Sequence, residues 1–251
     1  MSARRTQDVI EVTMTDHRIV RDPGPGNLTA PIAKQDTDVV EIELKSADHG
    51  LSSSDALTYK AVGVLRHTAG RADYAADTLA ELLEGEVEPH FEPWYELARS
   101  YIQRRDFDLA LKAVSEADLR APGHPVIIEM LAISHYSLGN ESKAIEILTS
   151  LLAKTPKLPD QRYKLAVMLN ATGRPDDALA QARFALESRH NHWLALRLTG
   201  EIQLQRDQAG KAANAFRRAL AIEPDKPRTR KGLIEALEKL GRTQEAAKVR
   251  R

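Results

Sequence analysis

Cysteine is missing from all 251 residues. Its absence excludes disulfides, thiolate nucleophiles, cysteine-based zinc sites and covalently attached c-type haem. Aromatic residues are scarce, at 5%, and alanine and leucine dominate the second half of the chain, as in closely packed helices. No apolar run approaches the roughly 18 residues a membrane-spanning helix needs. No sign of charge prevails either: 36 Lys and Arg balance 36 Asp and Glu, so no overall field favours nucleic acid or an anionic membrane. The opening MSARRTQDVIEV has basic residues but no apolar core of a signal peptide, which makes a cytoplasmic location the expectation.

What is present is a period. From Phe91 to His124, Trp94, Leu97, Ala98 and Tyr101 fall on one helical face, and Leu109, Ala110, Ala113, Val114 and Ala117 on another. Pro93 suits the first turn of the first helix, and Pro122 with Gly123 stops the second. Ala110, Ala144, Ala178 and Ala212 follow one another at intervals of 34 residues. Small residues in that register mark places where two helices approach too closely for a larger side chain.

This spacing resembles the tetratricopeptide repeat, a helix–turn–helix unit of about 34 residues. The resemblance implies an all-α, right-handed superhelical solenoid over residues 52–251. Its units span about 56–90, 91–124, 125–158, 159–192 and 193–226, with a partial unit at 227–251. A single hairpin cannot bury its own apolar face, so the units must stack. The second helix of the partial unit is short, and the last groove is expected to be part-covered, favouring fraying or self-association.

Residues 1–51 differ from the rest. Ile10, Val12 and Met14, and then Val40, Ile42 and Leu44, alternate as short strands do, separated by the turn-rich DPGPGN. An irregular arm with short strands is expected there. Its segment Arg4 to Arg21, RRTQDVIEVTMTDHRIVR, resembles the end of the haem domain in multihaem cytochrome c proteins that continue into tetratricopeptide repeats. That resemblance implies an axial haem ligand at His17, within Thr15-Asp16-His17-Arg18-Ile19. It also implies a periplasmic location if the chain derives from such a parent. Every CxxCH motif is absent, and Glu11 stands where another histidine is expected. The other reading of His17 is an exposed turn histidine beside Asp16.

No catalytic constellation is visible: there is no G-x-S-x-G, no P-loop and no H-E-x-x-H, and Gly24-Pro25-Gly26 leads into no phosphate-binding helix. His190-Asn191-His192 reads as a polar loop rather than a metal site, and Asp176-Asp177 as the acidic start of a helix. The expectation is a non-enzymatic scaffold with no cofactor and no metal, whose partner is a protein or peptide. The alternative, implied by the cytochrome resemblance, is an accessory or truncated part of a multihaem electron-transfer protein, with haem ligated by His17.

In the family, the first helix of each unit lines the concave groove. The positions so implied are Tyr95, Arg99, Ile102 and Gln103, then Glu129, Ile133 and Tyr136, then Tyr163, Val167 and Asn170, and finally Leu194, Arg197, Glu201 and Leu204. Tyrosine and arginine commonly anchor interfaces. The carboxylate clamp of some relatives is not supported, because Lys60 has the right type but Val64 and Glu96 do not. Charge is polarised despite the zero sum. Arg71–Ser100 holds eight acids against two arginines (−6), and Lys226–Arg251 nine basic residues against three acids (+6). This distribution suits steering between chain ends or toward a charged partner.

Overall fold

The computed structural model describes residues 53–67, 72–85 and 90–250. The strand candidates at 8–14 and 39–44, and His17, lie outside them. All regular structure among the described residues is helical, and the chain divides into two compact units, Met1–Ala121 and Pro122–Arg251. Within the first, α1 (Ser53–His67) pairs with α2 (Ala72–Gly85), and α3 (Glu92–Arg104) with α4 (Phe107–Arg120). In the second the hairpins are α5 (Pro125–Ser137) with α6 (Glu141–Lys154), α7 (Pro159–Ala171) with α8 (Pro175–Ser188), α9 (Trp193–Gln205) with α10 (Ala209–Ile222), and α11 (Pro227–Lys239) with α12 (Thr243–Arg250).

The punctuation of these hairpins is written in the sequence. Proline occupies the first turn of α3, α5, α7, α8 and α11, where its missing N–H costs no hydrogen bond. The five described turns from first to second helix, after α3, α5, α7, α9 and α11, close in one way. The N–H groups of Asp106, Asn140, Arg174, Gln208 and Arg242 donate to the carbonyls of Tyr101, His135, Leu169, Gln203 and Leu237 at 2.8–2.9 Å. This bond forces the preceding residue into the left-handed region, and residues 105, 139, 173, 207 and 241 all have φ between 56° and 83°.

The alanines carry the packing. Ala98, Ala110, Ala117, Ala132, Ala144, Ala166, Ala178, Ala185, Ala212 and Ala219 have no exposed surface. Leucine and isoleucine fill the wider spaces between hairpins: Leu148, Leu165, Leu169 and Ile202 belong to one cluster around α5–α9. Where α9, α10 and α11 meet, Phe216 takes a place held by Ala182 in the preceding hairpin. It fits because Gly200 and Gly232 leave room: a Cβ on either would stand 2.7 or 2.6 Å from the Phe216 ring. Leu109, expected on the packed face of its helix, is 41% exposed. Its neighbour Ala110 takes the buried register, which turns Leu109 outward.

Candidate functional site: the first-helix face

Within the second unit the first helices α5, α7, α9 and α11 lie side by side, and polar pairs bridge each adjacent two. Between α5 and α7, the Gln161 amide donates to Glu129 at 2.8 Å, and Lys164 lies 3.8 Å from the same carboxylate. Between α7 and α9, the Arg197 guanidinium donates to the Tyr163 hydroxyl at 3.3 Å. Between α9 and α11, Arg228 meets Glu201 at 2.8 Å. The burial of Glu129 raises its pKa, opposed by the charge of Lys164.

Around these bridges stand the groups implied by repeat position. Ile133, Tyr136, Asn170, Leu194, Arg197 and Glu201 are half-buried, and Val167 is 36% exposed. Tyr163 and Leu204 are different, being buried at 8% and 9%. Tyr163 packs its ring against His192, with centroids 5.4 Å apart, while its hydroxyl is engaged by Arg197. It is a structural member of the face rather than an open anchor. Replacing it would disturb the core as well as the surface.

His192 lies in the loop before α9. Expected in a polar loop, it is 4% exposed and caps α9, its Nδ1 accepting from the Ala195 N–H at 3.3 Å. Nε2 lies 3.3 Å from an Asp160 oxygen, near enough for attraction but off hydrogen-bond geometry. Burial lowers its pKa, the Arg189 charge adds to that, and Asp160 opposes it. Among the described residues no group of His, Asp and Glu is arranged to hold a metal.

The first unit has its own face. On α3, Tyr95, Arg99 and Ile102 are half-buried and Gln103 is exposed. Arg99 is held in place by two of its five donors: its Nε donates to Glu96 at 2.7 Å and its Nη2 to the Leu65 carbonyl at 3.0 Å. Gln161, Lys164, Arg228, Arg66 and Glu96 complete the two faces without a signal of their own in the sequence. Each acts through a partner on another first helix, 27 or more residues away, apart from the nearer Arg99–Glu96 pair.

The tetratricopeptide repeat is the family whose models match this chain, over residues 95–159 and 129–188 and again over 203–249. These matches span more than half of the 251 residues. The chain belongs to the tetratricopeptide repeat family. Among solved structures, Pseudomonas aeruginosa pilF is similar with a TM-score of 0.64 and 14% identity, over 78% of this chain and 88% of that one. MamA from Desulfovibrio magneticus RS-1 is similar with a TM-score of 0.54 and 16% identity, over 63% and 90%. YrrB, a TPR protein with an unusual peptide-binding site, aligns with a TM-score of 0.51 and 19% identity, over 70% and 89%. At these identities the likeness establishes the tetratricopeptide fold. No curated protein sequence matches the chain.

Proposed function

We propose that this tetratricopeptide protein is a non-enzymatic interaction scaffold, working without a cofactor, that holds an extended peptide of a partner protein on the first-helix face of its second unit. The observation that carries the reading is the make-up of that face. Ile133, Tyr136, Val167 and Asn170 offer partly exposed apolar and amide surface on adjacent helices, between bridges that fix those helices in place. Apolar surface rimmed by fixed polar groups suits a peptide, whose side chains bury on the first and whose backbone bonds to the second. The peptide-binding site of YrrB, on the same fold, supports the reading.

The test is selection of a displayed random-peptide library on the whole chain, followed by titration of the enriched peptide. Val167→Glu places a charge on an exposed position of the face and spares the core. It is expected to weaken binding about tenfold or more, an effect of ~1.4 kcal/mol or above. Lys154→Ala, on a second helix, should leave binding unchanged. Equal affinity of wild type and Val167→Glu would move the site off this face.

A further inference from the structure

We infer that the first unit carries a separate oxyanion-binding site, formed by Arg66 and Arg99 held on Glu96, for an acidic or phosphorylated side chain of a peptide. The Glu96 side chain is 5% exposed, and a carboxylate that deep needs a cationic partner. One arginine would neutralise it. Two are present: Arg66 Nε lies 2.5 Å from one oxygen and Arg99 Nε 2.7 Å from the other.

Both guanidiniums meet Glu96 through Nε rather than through their two-pronged ends. A guanidinium has five N–H donors. Arg66 commits Nε to this carboxylate, and Arg99 commits Nε and the Nη2 bond to Leu65. The arginine side chains are 45% and 33% exposed, so solvent reaches both. The cluster therefore holds two positive charges against one negative, with its cations fixed by a buried carboxylate. Fixed forks lose little freedom on meeting a planar or tetrahedral oxyanion.

The surroundings set the ligand class. Helices α1–α4 hold ten Asp and Glu against six Lys and Arg, a net −4. A polyanion such as nucleic acid would be repelled by that field, whereas one carboxylate or phosphate on a peptide meets only the local surplus of positive charge. The inference takes from the scaffold reading only that the carrier is a peptide. It concerns the first unit, and Val167 belongs to the second, so the two proposals fail separately.

The experiment follows the arginine Nε–H signals of the ¹⁵N-labelled full chain by NMR, assigned from Arg66→Lys and Arg99→Lys. Three short peptides are titrated, alike except for a central glutamate, phosphoserine or glutamine. Saturable shifts of both signals with the glutamate peptide assign a carboxylate ligand, and shifts with phosphoserine alone assign a phosphorylated one. Arg66→Gln, which keeps the Arg99–Glu96 pair, should weaken that binding about tenfold or more, as expected for loss of a charged hydrogen-bond donor. Should that variant misfold, the wild-type titration still decides. No shift at millimolar anionic peptide, or equal shifts with the glutamine peptide, overturns the site.

Discussion

Five residues occupy the same left-handed position in five successive turns, and only three are glycine. Gly139, Gly173 and Gly241 accept φ values of 72–83° without strain, whereas Arg105 (65°) and Asp207 (56°) are held there despite their side chains. Asp207 is compensated by its ion pair with Lys239 at 2.7 Å. Arg105→Gly relieves a left-handed cost of about 1–2 kcal/mol and gives back part of it through a freer unfolded chain. The expected result is a gain of roughly 0.5–1 kcal/mol, read as a higher denaturant midpoint. A lower midpoint would show that the Arg105 side chain itself stabilises the turn. At Phe216 the sign reverses. The ring is 1% exposed and clasped from two sides by Gly200 and Gly232, so it has nowhere to swing. Gly200→Ala should cost about 1–3 kcal/mol by overpacking, and adding Phe216→Leu should recover part of the loss. An unchanged midpoint in Gly200→Ala would mean that the ring yields. The alanine ladder is legible in the sequence because close approach leaves a strict period. The glycine clasp is not, since Gly200 fits the period but nothing along the chain ties Gly232 to a ring 16 residues before it.

At the scale of the element, the junction from α8 to α9 is held by a histidine that works only when neutral. Nδ1 of His192 accepts the Ala195 N–H, and a protonated imidazole has no acceptor left. Burial and the Arg189 charge place the folded pKa below the ordinary 6.5. As pH falls through 6.5 the unfolded chain takes up the proton first, so stability is present above that value and is lost toward the folded pKa. His135 shifts in the same direction, through burial and the charge of Lys143. Glu129 has the opposite sign: raised above 4.5, it favours the fold at low pH and loses that contribution as pH rises. His192→Asn keeps a capping acceptor and removes the titration. Denaturant midpoints at pH 7.5 and 5.5 should differ less in this variant than in wild type, with the contribution of Glu129 common to both. An identical pH dependence would refute the role given to His192. This junction also shows why the site is only partly legible. Repeat position places Tyr163 among the first-helix residues, but it cannot show that His192 and Arg197 from the next hairpin close over it.

At the scale of the molecule, the second unit is a line of neighbours. Its hairpins touch only the ones before and after them, and the only contacts that skip a helix join successive first helices. Stability in such a line is a sum of local terms and nearest-neighbour interfaces. Damage at one junction should therefore spread unevenly. Phe216→Ala removes the largest fully buried side chain of the α9–α10–α11 junction, a change that costs about 3–5 kcal/mol when the cavity does not collapse. Glycine on both sides gives the neighbouring backbone no side chain with which to refill it. Hydrogen exchange followed by mass spectrometry should show strong loss of protection in α9–α12, a smaller loss in α7–α8 and the least in α5–α6. That gradient would follow from the separate cluster around α5–α9, which Phe216 does not join. Equal acceleration from α5 through α12 would instead mean that the four hairpins open as one cooperative body, and the nearest-neighbour account of this unit would be abandoned.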